Sequence, residues 1–141
     1  MSEREIELRR FQPDFLPDAA RLLQYLWGNN DSQNMEYFKW KYFDNPFSEF
    51  PMGIIAFHSE KTVGFRGYSE TVWQIGPQDK IFNILSPGDT CTHPDYRRRG
   101  LSVAMGELAL KEFSSECEVF FNWSSSKNSY PGYLKWDSFH W

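Results

Sequence analysis

Asp89-Thr-Cys-Thr-His-Pro-Asp-Tyr-Arg-Arg-Arg-Gly-Leu-Ser-Val-Ala-Met105 is the stretch on which the fold turns. It reads as the end of a strand, a tight basic turn with one glycine, and the first turn of a helix. Leu101, Met105, Leu108 and Phe113 follow at helical spacing, with Ala104 and Leu110 beside them. A helix that opens from such a turn offers free backbone N–H groups and the positive end of its dipole. That arrangement binds phosphate or pyrophosphate. Arg97, Arg98 and Arg99 add donors for phosphate oxygens. Gly100 has no Cβ, so the backbone there can come close to a ligand. The competing reading is a surface loop of three solvated arginines ahead of an ordinary helix.

The rest of the 141-residue chain fits one domain with one core. A hydrophobic content of 40% argues against disorder, and an aromatic content of 18% points to a core or groove built from rings. A net charge of −4 argues against general nucleic-acid binding, so the arginine run is a local feature aimed at a local anion. Cys91 and Cys117 make neither a disulfide framework nor a metal cluster, and no metal is expected. Met1–Arg10 is charged and shows no apolar signal region, and no segment suits a membrane span. The expected compartment is the cytoplasm.

Glu5–Phe11 alternates Ile6 and Leu8 with charged neighbours, as a half-buried edge strand does. Asp14 is a candidate N-cap, with Pro17 in the first turn of the helix that follows. Phe15, Ala19, Leu22, Leu23 and Leu26 make one helical stripe that closes near Trp27-Gly28. Asp31 or Ser32 can cap a second helix, which carries Met35, Tyr37, Phe38, Trp40, Tyr42 and Phe43 and stops before Asn45-Pro46. Its rings exceed one stripe. They are core and rim packing, or some of them wall a substrate groove. Gly53–His58 and Thr62–Tyr68 flank a tight turn and read as a hairpin, which Val72–Ile75 extends. Ile81–Leu85 starts another strand, Pro87-Gly88 interrupts it, and Thr90–His93 resumes it, the pattern of a bulge or splay. Val119-Phe120-Phe121 suits a buried parallel strand, Asn122–Asn128 a polar loop, and Ser129–Lys135 the start of a short helix.

Thr92-His-Pro-Asp-Tyr-Arg-Arg-Arg-Gly-Leu-Ser102 resembles the acyl-CoA-binding motif of the GNAT family, the Gcn5-related N-acetyltransferases. Arg97 takes the first motif position and Gly100 the second, and Ser102 stands where the family usually has glycine or alanine. Trp40-Lys-Tyr-Phe-Asp-Asn-Pro46 resembles a pattern of uncharacterised bacterial members. The resemblance implies an α/β (α+β) fold: a mixed, mostly antiparallel central sheet, splayed between its fourth and fifth strands and flanked by helices. It implies a single N-acetyltransferase domain over residues 1–141, short at its C-terminus, because the family sheet continues with two more strands beyond Trp141. An edge left open in that way would favour a homodimer.

The resemblance also implies acetyl-CoA as co-substrate. Arg97, Arg98, Arg99, Gly100, Leu101 and Ser102 would hold its pyrophosphate. Thr90, Cys91 and Thr92, with Asn122 and Asn128, would hold the acyl-pantetheine arm. The expected partner is a primary amine of a small molecule or an amino terminus, with Trp40, Tyr42, Phe43 and Glu70 on the acceptor side. Tyr133 is the candidate general acid, with Tyr130 as runner-up; Asp137 stands where the family pattern has glycine. Asp89, at the expected bulge, is a candidate base or amine ligand, or else a turn residue bonded to nearby backbone. Glu70 is the other candidate carboxylate. The implied activity is acetyl transfer to an amine by direct attack on the thioester. The alternative is a non-catalytic CoA-binding or protein-interaction module.

Overall fold

In the computed structural model, two residues, Ser59 and Glu60, turn β2 (Met52–His58) back into β3 (Lys61–Ile75). A four-residue turn then carries β3 into β4 (Lys80–Thr92). The structure describes residues 5–122 and Lys127. β1 (Ile6–Arg10) pairs with β2, and β5 (Val119–Phe120) lies at the other edge, so the sheet runs β1-β2-β3-β4-β5 in chain order. The first four strands are antiparallel, and β5 is parallel to β4. A parallel neighbour needs a crossover, which α4 (Leu101–Phe113) supplies.

The first helical stripe is broken rather than single. A 3-10 turn at Pro13–Phe15 leads into α1 (Leu16–Leu22), and a step at Leu23 separates α2 (Gln24–Trp27). The second helix is capped one residue before the two expected caps: Asn30 accepts from the Gln33 N–H at 3.1 Å ahead of α3 (Asp31–Phe38). α3 then widens into a π-helical turn at Lys39–Phe43, where the Asp44 N–H reaches back to the Lys39 carbonyl.

Each face of the sheet buries its own set of side chains. Phe11, Leu22, Leu23, Phe38, Tyr42 and Phe65 fill the face under α1–α3. Ile54, Val63, Leu85, Met105, Ala109 and Phe113 fill the face under α4. The period-2 alternation of β2 sends Ile54 and Ala56 to one side and Ile55 and Phe57 to the other.

β4 is one continuous strand, and its irregularity falls one step later than the Pro87-Gly88 break in the sequence pattern. Phe65 opposes Cys91 and Gly67 opposes Gly88, so Asp89 and Thr90 together face Arg66. That is a bulge, and Asp89 sits in it with φ of 48°. Proline is tolerated inside β4 because of the direction in which residue 87 points. Asn83 and Leu85 offer their carbonyls to Glu118 and Phe121 at the β5 edge. By alternation Pro87 turns to that same edge, beyond the last pair, Leu85 with Phe120, where no ladder bond is lost. Among the described residues the two strands pair only at Ile84–Val119 and Leu85–Phe120; the β4 edge beyond Leu85 on that side is the gap side. The expectations for further C-terminal strands, and for Asn128, Tyr130 and Tyr133, lie outside the described residues.

Candidate functional site

The basic turn and the start of α4 form a shaped surface. Gly100 is left-handed, with φ of 73° and ψ of 13°, and no side-chain hydrogen bond caps the helix there. The first helical bond is the one from the Ala104 N–H to the Gly100 carbonyl, so the N–H groups of the preceding residues point outward. The three arginines differ. Arg97 donates to the Thr92 carbonyl at 3.2 Å, which ties the turn to the strand end. Arg99 lies 5.1 Å over the Tyr96 ring, and Tyr96 in turn bonds His58 at 2.6 Å. Arg98 is exposed, in a left-handed conformation. Leu101 is buried in the core under α4, so only its backbone can serve a ligand. Ser102 accepts from Arg66 at 3.5 Å.

The gap-side edge of β4 continues from this turn. Thr90 and Thr92 are half-buried along it. The Cys91 side chain leaves the edge and packs under α1, where its thiol donates to the Leu22 carbonyl at 3.6 Å. Asn122 stands two residues past Phe120, the last residue of β5.

Asp89 is the centre of a network. Its Oδ2 accepts from the Lys41 ammonium at 2.5 Å and the Tyr42 phenol at 2.6 Å, and its Oδ1 from the Trp27 indole at 3.2 Å. Burial, then the Asp89 carboxylate beside it, holds the Tyr42 phenol well above its ordinary range, so it stays a neutral donor. Tyr42, expected as a groove-lining ring, is instead a core residue with 2% exposure. The reason lies in β3: a Cβ at Gly67 would overlap the Tyr42 phenol oxygen, so the missing side chain is the space the phenol occupies. Phe43 is likewise half-buried, packing 6.2 Å from Phe38. Trp40 alone of the three rings is open, at 65% exposure. It stacks on Tyr37, Tyr37 meets Trp27, and Trp27 reaches Asp89, so a ladder of rings joins the surface to the bulge.

Glu70 belongs elsewhere. It lines a cavity of about 390 Å³ with Arg10, Phe47, Phe50, Glu49 and Glu116. By alternation on β3 it shares a face with Tyr68, which packs under α4, whereas Tyr42 packs on the other face. Burial pushes its carboxyl above the ordinary 4.5; a Ser48 hydrogen bond opposes this, and Glu116 and Glu49 add to it. The folded chain therefore holds this proton more tightly than the unfolded chain. Stability falls as pH rises through and above 4.5. Glu70→Gln should accordingly raise the melting temperature at pH 7 and leave it unchanged at pH 4; equal melting at both values would contradict the shift.

Among the described residues, no three His, Cys, Asp or Glu side chains are grouped to hold a metal, and no helix is long and apolar enough to cross a membrane. The sequence profile of the acetyltransferase (GNAT) domain matches residues 7–135. The chain belongs to the GNAT family. Solved structures agree with this GNAT architecture. A predicted acetyltransferase with acetyl-CoA from Clostridium acetobutylicum superposes with a TM-score of 0.72 at 15% identity, covering 97% of this chain and 94% of that one. An acetyltransferase of Trypanosoma brucei gives 0.69 at 18% identity, with 93% and 90% covered. An aminoglycoside N-acetyltransferase in complex with CoA gives 0.65 at 16% identity, with 92% and 84% covered. At these identities the likeness is one of fold. A comparison with curated proteins gave no match.

Three residues of the Asp89 network escape a reading from sequence: Lys41, Trp27 and Gly67. Lys41 stands beside Tyr42 in a run of rings and looks solvated. Trp27 reads as a helix end. Gly67 did leave a signal, since an isolated glycine inside a strand often marks a close approach.

Proposed function

We propose that this GNAT domain transfers the acetyl group of acetyl-CoA to a primary amine of a small molecule or an amino terminus. The observation that carries the reading is the uncapped start of α4 behind a basic turn, contiguous with a β4 edge that among the described residues pairs with β5 only at Ile84 and Leu85. The helix end and arginines suit a pyrophosphate. The β4 edge suits an extended arm that bonds to backbone, as an added strand does. In the transfer, the amine nitrogen bonds to the thioester carbonyl carbon, the carbon–sulfur bond breaks and its electron pair leaves on the thiolate, and the amine proton passes to water. Holding the two reactants in register supplies much of the rate. The exposed Trp40 and the ring ladder behind it suit a cationic or amine-bearing acceptor. Tyr133 is proposed as the acid that protonates the departing thiolate.

Thermal unfolding with and without acetyl-CoA tests the site. At about a hundred times its dissociation constant the ligand should add roughly 2.7 kcal/mol, a shift on the order of 10 °C for a chain this long. A cooperative melt with no shift would remove the claim. A shift without transfer to any amine would favour the non-catalytic, CoA-binding alternative.

A further inference from the structure

Asp89 is held by three donors, two at Oδ2 and one at Oδ1, and its side chain is only 11% exposed, an environment that suits an anchor better than a general base open to an incoming amine. Both of its oxygens are taken, by donors from two helical segments that come down on the strand from above: Trp27 ends α2, and Lys41 and Tyr42 lie in the π turn. Consecutive residues on an α-helix do not face one target. The wide π turn is what lets Lys41 and Tyr42 share Oδ2. The sheet is cleared to receive them. Gly67 and Gly88 are paired across β3 and β4, one under the Tyr42 ring and the other facing Lys41 Nζ. The carboxylate side chain is only 11% exposed and the lysine 25%, so the pair is shielded from solvent screening. Asp89 itself has a left-handed backbone, which a non-glycine residue keeps only when its surroundings enforce it.

We propose that Lys41 is a positioning residue. Together with Tyr42 and Trp27 it clamps Asp89, locks the bulge of β4, and so fixes the gap-side backbone that receives the acyl-pantetheine arm. This rests on the reading of the gap as the acetyl-CoA site. It gives Asp89 the part of an anchor and takes from it the part of a proton acceptor. The charge at the bulge is balanced inside the protein, and the acceptor amine finds its binding groups elsewhere.

The test uses the full chain with Lys41→Met, Lys41→Arg and Tyr42→Phe. Two quantities are read: acetyl-CoA affinity by calorimetry, and amide hydrogen exchange at residues 86–92 against that of α4. With the clamp, Lys41→Met weakens acetyl-CoA binding about tenfold or more, as misplaced positioning groups do. It also speeds exchange at the bulge while α4 stays protected. Lys41→Arg, which keeps the charge, recovers most of both. Tyr42→Phe keeps the ring and loses one donor, so it reports in the same direction if Lys41→Met does not fold. Wild-type exchange at 86–92 in both loss variants overturns the clamp. Faster exchange with unchanged affinity overturns its role in holding the acyl arm and returns Asp89 to candidacy as a base. If the wild type itself fails to bind acetyl-CoA, the functional reading has failed, and the exchange data alone decide whether Lys41 locks the bulge.

Discussion

Gly67→Ala is expected to destabilise the chain by about 1–3 kcal/mol, the usual cost of overpacking a filled core. That corresponds to a fall of roughly 3–10 °C in melting temperature. The added methyl would lie within 2.6 Å of the Tyr42 Cζ and overlap its oxygen. A free side-chain tip could swing away cheaply, but this one is buried and tied to Asp89 at 2.6 Å. Relief therefore means breaking the Tyr42–Asp89 bond or lifting the π turn off the sheet. Either way the effect should reach beyond stability, with weaker acetyl-CoA binding in the folded fraction. A variant that melts like the wild type would show that the phenol does not lie across β3 at this point.

Gly100→Val should do the reverse, with a small loss of stability and a large loss of ligand. At φ of 73° a β-branched residue is strained, at a cost of roughly 1–2 kcal/mol. Nothing in the protein lies within 4 Å of the new Cβ, so no packing is lost. The branched side chain would instead fill the approach to the outward N–H groups of α4. The dissociation constant for acetyl-CoA should rise at least a hundredfold, or about 2.7 kcal/mol. Gly100→Ala should give an intermediate value. Calorimetry on chains shown to be folded by circular dichroism separates the two effects. Unchanged affinity in Gly100→Val would move the anion site away from this turn.

What the sequence made legible was local. Ser59-Glu60 between two apolar runs gave the hairpin. Leu101, Met105 and Phe113 gave α4, and Gly100 marked the turn ahead of it, while its left-handed backbone shows only in the structure. Pro87-Gly88 marked an irregular β4, yet the bulge lies at Asp89-Thr90, because proline at the gap side costs no ladder bond and the strand continues through it. The long-range pairings were not legible. Lys41 and Tyr42 meet Asp89 across 48 and 47 residues of chain, and nothing in a helix of rings distinguishes a phenol that bonds a carboxylate from one that lines a groove. Glu70 was grouped with Tyr42 for its charge, but strand parity puts it on the other face. The break at Leu23 carries no glycine or proline and shows only in the backbone.

The inward turn of Cys91 also bears on which routes the acyl group can take. A cysteine on the strand beside a thioester invites transthioesterification, in which a thiolate receives the acyl group and later passes it on. Only the thiolate does this. Burial, against a small opposing effect of Arg97, pushes the Cys91 thiol up to about 11, and its hydrogen bond to the Leu22 carbonyl holds it on the helix side of the sheet. Cys91 thus keeps its proton at neutral pH and faces away from the gap. It serves as a packing atom of the core and not as an acyl carrier.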